Sequence, residues 1–187
     1  MILSDLCFFL PQKTFIVFFV DIWYYLGMEN KEKFMKLALK EANKAYDKEE
    51  VPVGAIIVKD NKVIARAHNL KETSSSAISH AEILAIQKAC KKLGSWRLTD
   101  CDMYVTLEPC TMCTGALINA RIRKLYIGTN DPKTGACGSK INLLEDVKFN
   151  HTIEIERDIL QKDCEKVLKD FFKFLRERNK NEKKSII

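Results

Sequence analysis

Asp102-Met103-Tyr104-Val105-Thr106-Leu107-Glu108-Pro109-Cys110-Thr111-Met112-Cys113 reads as a strand running into the start of a helix. Asp102 to Leu107 is rich in apolar, β-branched and aromatic residues, which predicts a buried strand. Pro109 has no N–H to lose and a backbone angle suited to a helix start, so Cys110 to Ala120 is expected to be the helix that follows. Both cysteines then fall in its first turn, where the helix dipole and free N–H groups favour thiolate over thiol. One turn thus prepares two metal ligands.

A second motif upstream completes the set. His80-Ala81-Glu82 opens a stretch, His80 to Leu93, whose pattern is helical and which Gly94 ends. One imidazole and two thiolates are a zinc donor set of the kind that leaves the fourth tetrahedral position open, as catalytic sites require. Water in that position has its pKa lowered to about 7. Glu82, two residues from His80, cannot share its helix face, so it reads as a proton-carrying carboxylate beside the water rather than a fourth ligand. Either string alone is weak: a lone C-x-x-C also suits a structural half-site or a redox pair. A structural Cys2His2 site would need a second nearby histidine, and His68 and His151 do not supply one.

Working outward, Phe34, Leu37, Ala38, Glu41, Ala42 and Ala45 form a largely apolar stripe that predicts a helix from near Lys31 to Asp47. Val53 to Lys59, a turn at Asp60-Asn61, and Val63 to Ala67 read as a hairpin of two buried strands. Lys124 to Gly128 is a short fourth strand, Ile153 to Glu156 a fifth, and Leu160 to Arg178 a long terminal helix. Strands alternating with helices imply an α/β fold of three layers, α/β/α. The pattern does not order the last two strands.

The 187 residues suit one domain, and the 47% apolar content suffices for a core. Seven cysteines, an odd number, point to ligands and buried thiols rather than a disulfide framework. Cys90, Cys101, Cys137 and Cys164 read as small core or loop residues, and Cys7 lies outside the motif-bearing region. The net charge is +6, and from Lys162 onward nine Lys/Arg stand against five Asp/Glu, so the surplus gathers at one end. In the first 27 residues the apolar runs Leu6 to Leu10 and Phe15 to Val20 are split by Pro11-Gln12-Lys13, too short to span a bilayer. They also lack the basic start of a signal peptide. The expectation is that residues 1–27 are an upstream extension outside the fold, that Met28 is the true start, and that residues 28–187 form one cytoplasmic domain.

H-x-E followed by P-C-x-x-C is the signature of zinc nucleobase deaminases. Around it, Val51-Pro52-Val53-Gly54-Ala55-Ile56-Ile57-Val58, Ser95-Trp96-Arg97-Leu98, Tyr104 to Cys110 and Asn130-Asp131-Pro132-Lys133-Thr134-Gly135-Ala136-Cys137-Gly138-Ser139 resemble the bacterial tRNA-specific adenosine deaminases of the cytidine deaminase superfamily. The similarity runs in unbroken order from about Met28 to Arg178. It implies a five-stranded mixed sheet of cytidine-deaminase type with both metal-bearing helices on one side. It further implies one Zn2+ per subunit on His80, Cys110 and Cys113, with Glu82 carrying protons. The expected reaction is deamination of the wobble adenosine to inosine in the anticodon loop of tRNA-Arg, by a homodimer.

Asn69 aligns with the family's base-binding asparagine, and its amide suits a purine edge; the competing reading is a turn cap. Asp131 matches a position near the substrate backbone, or else simply makes an Asp-Pro turn. Ser76-Ala77-Ile78-Ser79 departs from the family's usual Asp-Pro-Thr-Ala before the histidine. Lys173-Phe174-Leu175-Arg176-Glu177-Arg178 is less arginine-rich than the family's C-terminal cluster. His68 and His151 are assigned no catalytic role, and Phe171-Phe172 is expected to pack in the core. Three classes of function stay open: the tRNA editor, a deaminase of free bases or nucleosides such as guanine or cytosine, and a noncatalytic zinc protein that binds RNA. Glu82 speaks against the third, and the basic terminal helix against the second.

Overall fold

Strand β3 (Cys101–Leu107) is the middle of a five-stranded sheet ordered β2-β1-β3-β4-β5. The structure is a computed structural model that describes residues 30–185, the last three by backbone alone. The expected upstream extension, residues 1–27, lies outside the described residues. Two units divide the chain at residues 33 and 34; of the first, only residues 30–33, the opening of helix α1 (30–46), are described. The rest of this description concerns the second.

Strand β1 (Gly54–Lys59) pairs antiparallel with both β2 (Lys62–His68) and β3. Strands β4 (Lys124–Thr129) and β5 (Glu154–Glu156) continue parallel to β3, each reached through a crossover. The mixed sheet matches the expected class and supplies the order of the last two strands. Its alternation separates two cores. Ala55, Ile57, Met103, Val105, Leu125 and Ile127 face one side, against helices α2 (Ala81–Leu93) and α3 (Thr111–Ala120). Ile56, Val58, Tyr104 and Tyr126 face the other, against α1 and Cys164 of helix α5 (Gln161–Ser185). Tyr104 and Tyr126 are paired across strands and stack with centroids 4.2 Å apart. Both motif-bearing helices lie on one side, as expected.

Three expectations need correction. Strand β2 is an edge strand and is half-exposed rather than buried, because it pairs only with β1. Helix α5 continues past Arg178 to Ser185, its polar early turns carrying i,i+4 ion pairs at Lys166–Asp170 and Lys169–Glu165, both 2.5 Å. Phe171 is buried, but Phe172 is 42% exposed, because adjacent helical residues face different ways. A four-residue helix, α4 (Leu143–Asp146), was not foreseen; one turn leaves no periodicity to read. Gly54 is required by packing: a Cβ there would lie 2.1 Å from the Ala38 carbonyl oxygen and 2.4 Å from the Ala42 amide. Helix α1 therefore crosses β1 at backbone contact.

The pairing directions bring four chain segments to one rim of the sheet. Gly54 at the start of β1 lies opposite His68 at the end of β2, and Ala55 opposite Val105 near the end of β3. Leu107 pairs with Thr129 at the end of β4. The connections leaving or entering at this rim carry Glu50, Asn69, Cys110 and Asp131.

Candidate functional site

His80 and Cys110 are the N-cap residues of α2 and α3, each with extended backbone and neither making a side-chain cap. Cys110 therefore stands one position ahead of the expected first turn, and Cys113 within it. His80 Nδ1 lies 3.7 Å from Cys110 Sγ and 3.5 Å from Cys113 Sγ. All three donor atoms fall within 4.8 Å of one another. A tetrahedral zinc, about 2.0–2.1 Å from nitrogen and about 2.3 Å from sulfur, separates those atoms by about 3.6 Å. The donor set and its spacing fit that ion, with Nδ1 as the imidazole ligand.

The electrostatics agree. A hydrogen bond from the Cys113 thiol, with a further one from His80, holds Cys110 down at about 4, so this sulfur is a thiolate. Its proximity, followed by burial, raises Cys113, because adjacent sulfurs resist a second negative charge until a cation joins them. The same thiolate raises His80. Elsewhere burial pushes Cys137 up to about 11 and Cys164 to about 12, which leaves them as inert core thiols. Cys90, Cys101, Cys137 and Cys164 are all free, in keeping with the sequence reading.

A cavity on the rim is bordered by His80, Glu82, Cys110, Asn69 and Asp131, with Val53 and Leu107 as apolar walls. The candidate residues inferred from sequence thus border one cavity, save Cys113, which is buried and reaches the group through its contact with His80. Glu82 is 4% exposed, and burial raises its pKa. Asn69 is buried and donates Nδ2–H to Glu50 Oε2 at 3.0 Å. Asp131 Oδ1 accepts from the Lys133 amide at 2.9 Å and the Thr134 amide at 3.3 Å, and Oδ2 from the Thr134 hydroxyl at 2.6 Å. Its carboxylate closes its own turn while bordering the cavity.

His68 turns away to Glu41, 3.3 Å from Nδ1 to Oε2. His151 Nε2–H donates to the Ile122 carbonyl at 2.7 Å, a packing role.

Two buried carboxylates escaped the sequence reading. Glu108 is 2% exposed and accepts from the amides of Asp131 (3.0 Å), Cys137 (2.9 Å) and Ser139 (3.0 Å), and from the Ser139 hydroxyl. Burial pushes its pKa up, but these donors outweigh it and the net shift is downward. Glu108 thereby staples the 130–139 loop to the residues preceding Cys110. Gly135 admits it, since a Cβ there would lie 2.5 Å from the carboxyl group. Glu108→Gln is expected to lower the free energy of unfolding by about 2 kcal/mol, because an amide NH2 would face backbone donors already buried. Chemical denaturation at neutral pH checks this. Glu50, also buried, plays a similar part for the 69–73 segment. The available signal was an acidic residue set between core apolar residues and a proline, as in Leu107-Glu108-Pro109.

The MafB19-like deaminase family model matches residues 29–176. Over 159 residues the chain is 47% identical to a tRNA-specific adenosine deaminase of Bacillus subtilis, covering 85% of this chain and 99% of that protein. Over 156 residues it is 43% identical to a tRNA-specific adenosine deaminase of Haemophilus influenzae, covering 83% and 90%. A solved structure from work on A-to-I editing by tRNA:A34 deaminases at the wobble position of transfer RNA aligns with a TM-score of 0.71 at 43% identity, covering 73% of this chain and 99% of that one. With a matching fold and identity extending over nearly the whole of these relatives, the chain belongs to the tRNA-specific adenosine deaminase family.

Proposed function

We propose that this protein deaminates the wobble adenosine of tRNA-Arg to inosine, with zinc held by His80 Nδ1 and the Cys110 and Cys113 sulfurs. The observation that carries the reading is the 3.5 and 3.7 Å spacing of those donors, with His80, Cys110 and a buried Glu82 bordering one cavity. Zinc, when bound there, supplies Lewis acidity that makes water a nucleophile at neutral pH. Glu82 takes a proton from the attacking water and delivers it to N1 as C6 becomes tetrahedral. It then takes the proton of the new C6 hydroxyl and passes it to the amino group, which leaves as ammonia while C6 becomes a carbonyl. Asn69 orients the base through its amide, and Asp131 shapes the loop over the cavity.

The basic surplus from Lys162 onward supports an RNA substrate, although Lys166 and Lys169 are drawn into helix ion pairs and Arg178 pairs with Glu49. Phe172 and Phe174, 42% and 37% exposed on this helix, offer flat faces on which a base can stack. The reading includes a homodimer, as the family resemblance implies; exposed Ile141, Val147 and Phe149 offer apolar surface for it. No helix among the described residues is long and apolar enough to cross a membrane.

The test is incubation of metal-loaded protein with a tRNA-Arg anticodon stem-loop and, separately, with free adenosine, cytidine and guanine, followed by digestion and mass analysis. Inosine is expected from the stem-loop alone, with binding that falls steeply as salt is added. Salt-insensitive turnover of a free base would overturn the RNA assignment.

A further inference from the structure

Glu50 lies between α1 and β1 and is fully buried, 0% exposed. Its Oε2 accepts from Asn69 Nδ2 at 3.0 Å and from the Glu72 amide at 3.2 Å, and its Oε1 from the Thr73 amide at 2.6 Å. Burial alone would push this carboxyl up, but the Thr73 and Glu72 donors outweigh it and hold it below the ordinary carboxylate value. At neutral pH Glu50 is therefore charged and can only accept.

That matters because a primary amide has two nearly isosteric ends, an oxygen that accepts and an NH2 that donates, related by a half-turn of the terminal torsion. Beside a carboxylate only one orientation survives. With NH2 toward Glu50 a charge-assisted hydrogen bond forms; with oxygen toward Glu50 two buried acceptors face each other with no proton between them. Glu50 thus decides which end of Asn69 is left for the cavity it shares with His80 and Glu82. What remains is Oδ1, which accepts no hydrogen bond among the described residues, and the second Nδ2 proton. One acceptor beside one donor complements the N6 amino group and N7 of adenine.

We propose that Glu50 is a positioning residue that acts through Asn69, locking the amide in the one orientation that presents an acceptor–donor edge to an adenine. This rests on the reading of Asn69 as the base-contacting residue. The bonds to Glu72 and Thr73 also tie the loop leading to His80 to the same carboxylate, so base edge and metal ligand are referenced to one buried charge.

A double-mutant cycle on the metal-loaded protein tests this, reading kcat/KM on the anticodon stem-loop together with metal content. Glu50→Gln, which no longer dictates the amide's orientation, and Asn69→Ala are each expected to lower kcat/KM by about 10- to 100-fold. The double variant should lie within about twofold of Asn69→Ala, because the influence of Glu50 passes through the amide already removed. Losses that multiply, or a Glu50→Gln protein as active as wild type beside a crippled Asn69→Ala, would overturn the positioning role and leave the base-contact reading standing. Wild-type activity in Asn69→Ala would overturn that reading and the proposal with it. A readout on the unaltered protein covers the case in which Glu50→Gln fails to fold. The two Asn69 Nδ2 protons should give widely separated NMR signals, the carboxylate-bound one downfield and slow to exchange; two averaged signals would sink the proposal.

Discussion

Glu82→Gln is expected to lower kcat by about 100- to 10,000-fold while metal content stays at the wild-type level. The glutamine keeps the volume and reach of the side chain but cannot take a proton from water or hand one to N1. Glu82 is not one of the three clustered donors, and as the second residue of α2 it projects from a different face than the N-cap His80, so metal should not leave with its charge. Stability should hold or rise. Burial is the dominant influence on this carboxyl and disfavours its charged form, so neutralising it relieves a cost. Inosine formation under single-turnover conditions, elemental analysis and a melting curve together decide the matter. Wild-type turnover in the variant would remove Glu82 from the proton path, and lost metal would make it a ligand instead.

Cys113→Ala should act through the opposite pair of observables, with metal lost first and turnover lost as a result. Cys113 is 0% exposed and its sulfur is one of the three donors clustered among the described residues, so an alanine leaves two of them, and affinity is expected to fall by more than about 100-fold. Stability falls too, because an ion on His80 and Cys113 joins the start of α2 to the start of α3. Any ion that binds the folded form alone stabilises it, by about 2.7 kcal/mol at a hundredfold excess over its dissociation constant. Wild-type protein treated with a chelator should therefore melt lower, and the variant should melt near that value whether or not chelator is present. A variant that retains stoichiometric metal would show that the third ligand is another group.

How much of this was legible in the sequence depended on whether the cause was local. His80, Glu82, Cys110 and Cys113 announce themselves by spacing, since each motif occupies one helix start, and the helices and strands follow from periodicity in windows of several residues. Glu50 and Glu108 do not, because their partners are backbone amides far along the chain, at Thr73 and at Cys137 and Ser139. The half-exposure of β2 is likewise a property of strand order: its apolar residues look like those of an interior strand, and only the absence of a second neighbour makes it an edge. Phe171 and Phe172 look alike in sequence, yet adjacent helical positions diverge by about 100°, and of the two Phe171 is the one that packs on Tyr46, at 5.5 Å between centroids.

Mixed strand direction gives the site its freedom to diversify. Because β1 begins where β2, β3 and β4 end, the polar residues bordering the cavity hang from connections or from the start of a helix, and none from the interior of a strand. Insertions or exchanges in those connections leave the two cores intact, so selection can retune which molecule is accepted without renegotiating stability. The exceptions are the points where a connection is stapled inward, Glu50 and Glu108, and these are the positions at which drift in specificity should be most tightly restrained.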